Sequence, residues 1–259
     1  MDPIPFETAS LEAWPAFVQQ DKNGWISRFT MGYTKRSNSV TILNHNRLPP
    51  EEQIKESEKS YNGKNLPCIF RLLSFNDNRE IEEILNARGY TKDDHSLVMA
   101  METGDKQFPD MEFGEVSIQT WMEHYCRLSI KRISDHKIHT EIIKNIKGEY
   151  LPALLKDSRG NVVSCGLGVA TGSMFGIFDI VTHPEHRKKG HGFGLISGML
   201  NWARHKGAKG SYVQVIRENL TAIRLYHRLG YRPLYEYHYK IQNFTKIPGD
   251  QMPYERTVF

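Results

Sequence analysis

Residues Arg187 to Gly192, Arg-Lys-Lys-Gly-His-Gly, put three consecutive cations beside two glycines, with a further glycine at Gly194. They lie between a β-rich run, Phe175 to Thr182, and an amphipathic stretch whose Leu195, Ile196, Met199, Leu200 and Ala203 share one helical face. At a strand-to-helix junction the first helical N–H groups lack internal partners and the helix dipole adds partial positive charge, so such a turn suits an anion. Glycine lets a ligand approach the backbone, and the lysines raise the local potential. The combination suits a pyrophosphate. It is neither a Walker loop, because no Gly-Lys-Ser/Thr follows, nor a G-x-G-x-x-G dinucleotide fingerprint. Taken alone, the six residues read as a solvated basic turn, and the elements around them decide the matter.

Other chemistry-bearing residues are more ambiguous. Ala222, Leu225, Tyr226 and Leu229 form one face of a helix, so Tyr226 reads as a core aromatic whose hydroxyl needs a partner. Cys68, Cys126 and Cys165 are odd in number and include no C-x-x-C pair, which argues against a disulfide framework and a zinc ribbon. Cys165 has no evident activating partner and reads as a small core hydrophobe. His183, His186 and His191 match neither a zincin helix nor a zinc finger, and no metal is expected. Asp179, His183 and Glu218 are the acid–base candidates around the turn. Of these, Asp179 could face away on its strand and Glu218 could serve only to start a helix.

Positioning such residues takes alternating strands and helices. Helices are predicted over Thr8 to Gln19, Glu51 to Tyr61, Arg79 to Arg88, Ser117 to Leu128 and His136 to Ile146, then after the glycine turn to His205, and over Asn219 to Leu229. Strands are predicted over Gly24 to Met31, Ser39 to Asn44, Pro67 to Leu73, Ser96 to Met101, Ser211 to Ile216 and Tyr235 to Ile241. Between them, Tyr150 to Leu155, Asn161 to Ala170 and Met174 to Thr182 are joined by short turns and predict an antiparallel meander. Residues 102–115 have loop composition and mark an expected domain boundary. Arg88-Gly89-Tyr90 and Leu229-Gly230-Tyr231 each close a helix before a strand, so the halves echo one another. The first half has Asn46-Arg-Leu-Pro-Pro50 where the second has its glycine turn.

The 259 residues are 39% apolar and 25% charged, which fits a globular chain of one large domain or two modest ones. No apolar run approaches the roughly 18 residues of a membrane span. The start has no basic-then-apolar leader pattern, and a cytoplasmic location without membrane association is expected. The sequons at Asn219 and Asn243 are read as chance. Residues 1–105 carry 12 Lys+Arg against 16 Asp+Glu, a net of −4, and the remainder 22 against 14, a net of +8. A basic half can serve an anionic ligand or a nucleic acid. Its cations are spread over several elements, which argues against nucleic acid, for which Trp202, Tyr212 and Arg217 would be the stacking groups.

Three linked segments carry a family resemblance: Ile180-Val-Thr-His-Pro-Glu-His-Arg-Lys-Lys-Gly-His-Gly192, Tyr212-Val-Gln-Val215, and Asn219-x-x-Ala222-x-x-Leu225-Tyr226-x-x-Leu229-Gly230-Tyr231. Over roughly Ser117 to Gln242 the chain resembles the GNAT superfamily of acyl-CoA N-acyltransferases, and the first half resembles a degenerate copy. The resemblance implies an α/β (α+β) fold of tandem units, each with a mixed central sheet flanked by helices. Residues 1–108 would be the degenerate domain, 115–245 the domain binding acetyl-CoA (coenzyme A) as co-substrate, and 246–259 a tail.

It further implies that the backbone of Ile180, Val181 and Thr182 bonds the pantetheine arm. Arg187, Lys188, Lys189, Gly190, His191, Gly192 and Phe193 would hold the pyrophosphate, Asn219 would contact the arm, and Tyr226 would be the catalytic proton donor to the thiolate. An N–H near Val181 would stabilise the oxyanion. The implied activity is direct acetyl transfer to a primary amine of a small molecule or peptide. A non-catalytic acyl-CoA sensor is the alternative. Several relatives carry a glutamate where this chain has Gln214, and an amide cannot accept the proton, so the general base is open. The aromatic and basic segment Trp25, Arg28, Tyr33, Lys35 and Arg36 is a candidate for shaping the acceptor side. The acceptor itself and the oligomeric state are not legible.

Overall fold

The computed structural model describes residues 1–44, 48–104, 107–109 and 114–243. In chain order the elements are α1 (Pro3–Ala13), β1 (Val18–Lys22), β2 (Trp25–Phe29), β3 (Val40–Ile42), α2 (Pro50–Asn62), β4 (Ile69–Leu73), α3 (Arg79–Ala87), β5 (Thr91–Glu102), β6 (Gly114–Glu115), α4 (Ile118–Ser129), α5 (Lys137–Lys144), β7 (Glu149–Lys156), β8 (Val162–Thr171), β9 (Met174–Thr182), α6 (His191–His205), β10 (Gly210–Ile216), α7 (Leu220–Leu229) and β11 (Arg232–Ile241). The first helix starts and stops earlier than its apolar pattern predicts. Asp2 accepts from the Ile4 N–H at 3.0 Å, Pro3 occupies the first turn, and Pro15 prevents extension. Residues 18–22 form an exposed strand instead.

The described residues form two compact units, one of Met1–Pro15 and Val98–Leu234, the other of Ala16–Leu97 with Tyr235–Asn243. Thus α1 packs with the second half, and the division between the units falls within both β5 and β11. The expected tail 246–259, Thr245 of the second sequon, and parts of the 102–115 and 46–50 segments lie outside the described residues.

In the first unit the strands run β10-β9-β8-β7-β6, with β5 beside β10. The expected meander is present: β7, β8 and β9 pair antiparallel, and β10 pairs parallel to β9. Alternation along the strands puts Gly168 and Phe175 on one face, under Met199 of α6, and Gly176 with Phe178 and Tyr212 on the other. A methyl group at Gly168 would lie 2.4 Å from Phe175 Cζ and 2.8 Å from Cε2. Because a buried ring cannot yield as a flexible side chain can, Gly168→Ala should destabilise the protein by about 1–3 kcal/mol. Denaturant midpoints at constant m check this; an unchanged midpoint contradicts the packing.

The second unit places β1-β2-β3-β4-β11 in order. Trp25, Phe29, Val40, Ile42, Phe70 and Leu72 from its strands meet Ile54, Tyr61, Ile81 and Leu85 from α2 and α3. Trp25 is therefore core. Arg28 is fully buried and donates to the Arg36 carbonyl at 2.8 Å, and Tyr33 is buried, so these three do not form an exposed acceptor surface.

The echo between halves extends to cap geometry. Gly89 and Gly230 are both left-handed, with φ of 77° and 106°. Tyr90 N–H bonds the Leu85 carbonyl and Tyr231 N–H the Tyr226 carbonyl, each at 3.0 Å, closing α3 and α7 in the same helix-terminating motif.

Candidate active site

β9 and β10 stay in register from Met174↔Gly210 to Ile177↔Val213, and the pairing goes no further. β9 runs on to Thr182 and β10 to Ile216, so the two strands part. On its other edge β9 keeps β8, with a bulge. Leu167 pairs Phe178 and Cys165 pairs Val181, which leaves Asp179 and Ile180 opposite Gly166. Asp179 takes a left-handed φ of 52°.

Beyond the bulge, the Val181 carbonyl accepts from Ser164 Oγ at 2.8 Å and the His183 N–H donates to the Val163 carbonyl at 3.0 Å, so both face β8. Strand alternation turns the backbone groups of Ile180 and Thr182 to the opened edge.

The glycine turn follows a 3₁₀ turn, Pro184–His186. Lys188 and Gly190 have φ of 60° and 84°, and Gly190 is the N-cap of α6 with no side chain capping the helix. In most helices Ser, Thr, Asp or Asn fills that role. Glycine there leaves the first N–H groups of α6 for another acceptor. Arg187 Nε donates to the Thr182 carbonyl at 3.2 Å, tying the turn to the end of β9. Arg187, Lys188, Lys189 and Gly190 are exposed, whereas His191, Gly192 and Phe193 are half-buried, and Arg228 of α7 lies 5.1 Å above the Phe193 ring. A Cβ at Gly190 would meet nothing within 4 Å, so the cap opens onto free space. A diphosphate with an extended polar arm fits this arrangement: the opened edge of β9, whose Thr182 carbonyl is taken by Arg187, leads to an uncapped, cationic helix start.

Residues 5–240 match the family model described as "Probable histone acetyltransferase Rv0428c C-terminal". The chain belongs to this family. It is an acetyltransferase of the GNAT type. A curated relative, "Uncharacterized N-acetyltransferase YobR" of Bacillus subtilis (strain 168), is 26% identical over 250 residues, covering 93% of this chain and 100% of the relative. A GCN5-related N-acetyltransferase from Kribbella flavida superposes with a TM-score of 0.72 at 14% identity, covering 93% of this chain and 96% of that one. A tandem GNAT protein from the clavulanic acid biosynthesis pathway gives a TM-score of 0.60 at 11% identity, covering 95% and 90%. These likenesses establish the tandem GNAT fold expected from the sequence. No described helix is long and apolar enough to cross a membrane.

Within this acetyltransferase, Tyr226 is 8% exposed, its ring 5.9 Å from that of Tyr231, and burial pushes its phenol up to about 12. Asn219 caps α7, its Oδ1 accepting from the Ala222 N–H at 3.1 Å, so it holds that helix in place whatever else it touches. Burial also pushes the Cys165 thiol up, with the nearby Asp179 charge adding to the effect, which is the opposite of an activated nucleophile. Among the acid–base candidates, Glu218 is exposed before α7, and His183 is half-buried with its ring 5.9 Å from that of His186. Asp179 turns inward to His139, whose Nε2 lies 3.0 Å from Oδ2. Tyr212, a stacking group in the nucleic-acid reading, is 1% exposed.

Sequence reasoning placed the first helix too late, at Thr8 to Gln19, and missed its packing on the sheet. Its Phe6 ring meets Tyr212 edge-on at 6.3 Å, Gln214 Nε2 donates to Ser10 Oγ, and Trp14 lies 5.8 Å from Phe178. Gln214 is thus bound to the helix that covers this face of the sheet. Ser10→Ala should cost about 1–2 kcal/mol, because it removes the acceptor of a part-buried amide. An unfolding midpoint equal to wild type would show that the bond contributes nothing.

Proposed function

We propose that the protein transfers an acetyl group from acetyl-CoA directly to a primary amine. The observation that carries this is the parted edge of β9, with the backbone of Ile180 and the N–H of Thr182 turned outward, leading to the uncapped start of α6. When bound, acetyl-CoA supplies an activated acyl thioester. Ile180 and Thr182 would hold its arm as an added strand, and the N–H groups from His191 to Phe193, with Arg187, Lys188 and Lys189 around them, would receive its diphosphate. The backbone N–H at the bulge would bond the developing oxyanion, a donor fixed before reaction and therefore effective.

The amine must be neutral to attack, and an ordinary lysine amine has a pKa of about 10.4, so a proton must leave through a side chain or water. Tyr226, a neutral phenol throughout the physiological range, would donate to the departing sulfur. Residues 115–245 would form the donor-binding domain, with α1 packed on it, and the remainder of residues 1–108 the degenerate copy. The test is release of free CoA thiol from acetyl-CoA with a panel of polyamines, amino acids, aminoglycosides, peptide N-termini and the lysine-bearing histone peptides that the family's name suggests. Turnover with one class identifies the acceptor; CoA binding with no turnover on any amine would overturn the proposal in favour of a sensor.

A further inference from the structure

The bulge in β9 is clamped from the helical side by two buried bonds. Trp121 of α4, fully buried, donates from Nε1 to the Gly166 carbonyl at 3.0 Å, and Gly166 is the residue opposite the bulge. His139 of α5 reaches Asp179, the bulge residue itself, at 3.0 Å, with both side chains 2% exposed. The His139 ring is fixed on several sides: Trp121 and Tyr125 present edges at 6.0 and 5.4 Å, and Trp14 and His136 lie tilted at 5.1 and 5.6 Å.

Such a pair is an expensive way to stabilise a core, since desolvating ionisable groups offsets most of their attraction. Asp179 also occupies a left-handed conformation that glycine would take without strain. What the pair can supply is register. The two-residue bulge against Gly166 makes Ile180 and Thr182, and not Val181, face the opened edge. If β9 lost the extra residue, the alternation downstream would shift by one and turn the wrong backbone groups outward.

We infer that the buried His139–Asp179 pair is a positioning device that locks the β9 bulge and thereby selects the backbone groups offered to the acyl donor. The inference rests on the reading that this edge receives the donor's arm. Asp179 is buried and paired with His139 and is therefore a positioning residue, not the proton acceptor.

Calorimetric titration of the full chain with CoA tests it. Asp179→Gly keeps the left-handed backbone but removes the carboxylate, and His139→Phe removes the other partner; each should weaken CoA binding about tenfold, the scale of one lost buried bond, and the double variant no further. Asp179→Asn tolerates the same φ and still accepts from a ring N–H, so it should bind within about threefold of wild type. If Asp179→Gly and His139→Phe bind CoA as wild type does, the inference fails while the donor site stands. If wild type binds no CoA, the donor-site reading fails and the inference with it. Should either variant not fold, wild-type protein labelled with ¹⁵N-histidine still decides. The His139 Nε2–H resonance should move on saturation with CoA, and a resonance unmoved by bound CoA would overturn the positioning role.

Discussion

Gly190→Glu should reduce affinity for acetyl-CoA by on the order of a hundredfold or more, because like-charge juxtaposition at a phosphate costs several kcal/mol. Gly190 caps α6 in a left-handed conformation and is exposed, and an added Cβ touches nothing within 4 Å. The substitution therefore makes no steric clash with the protein. It has two effects, a backbone penalty of roughly 1–2 kcal/mol for a side chain at positive φ and a carboxylate beside the N–H groups that would receive the diphosphate. Gly190→Asn separates them, since asparagine tolerates the left-handed region and carries no charge. It should bind acetyl-CoA within a few-fold of wild type, while Gly190→Glu should show no calorimetric heat at concentrations that saturate the parent. The melting temperature should fall by only a few degrees in either variant, given roughly 2–4 °C per kcal/mol for a chain of this size. Wild-type affinity in Gly190→Glu would remove the glycine turn from the site.

What could be read from the sequence was what is local in the chain. The turn from Arg187 to Gly194, the helix behind it, and the helix carrying Tyr226 each announce themselves within about ten residues, and in the structure the turn meets the end of β9 while α6 packs on β9 and on α7. The left-handed Gly89 and Gly230 were marked by the aromatic strand start after each helix. The bulge was not legible, because it depends on Gly166 of a different strand and on a side chain, Asp179, whose composition alone suggests a turn or a base. His139 and Trp121 gave a faint signal. Trp121 and Tyr125 are one helical turn apart, as are His136 and His139, yet nothing local shows that these two pairs meet. The first helix was misplaced because its apolar residues, Leu11, Trp14, Phe17 and Val18, continue past Pro15, and apolar period outweighed the proline stop. Its packing on Tyr212 and Gln214 is a long-range fact that no window of sequence contains.

Tyr226→Phe should lower kcat by about 10²-fold or more, the usual contribution of a positioned proton donor, and change affinity for acetyl-CoA little. The shape of the pH–rate profile distinguishes two roles for the phenol. With burial holding Tyr226 at about 12, and a free thiol titrating near 8.5, complete transfer of its proton to the departing thiolate is uphill by several pKa units. Tyr226 would act chiefly by a hydrogen bond to the sulfur as charge develops there. The kcat profile of Tyr226→Phe should then run parallel to wild type between about pH 6 and 9, lowered but with no limb removed, since a limb from a group at about 12 lies outside that range.

Stability supplies a second reading of the same group. Its folded pKa lies above the unfolded value of about 10, so the stability tied to its burial is fully present below pH 10 and is lost as pH rises from there through about 12. Tyr231, also held above its ordinary value by burial, shares that loss. Tyr226→Phe should therefore lose stability less steeply than wild type above pH 10, measured by denaturant titration at fixed temperature. Equal kcat in the two proteins, together with this shallower alkaline slope, would make Tyr226 a core residue and move the proton donor elsewhere. A lowered, parallel kcat profile would fix it at the leaving sulfur.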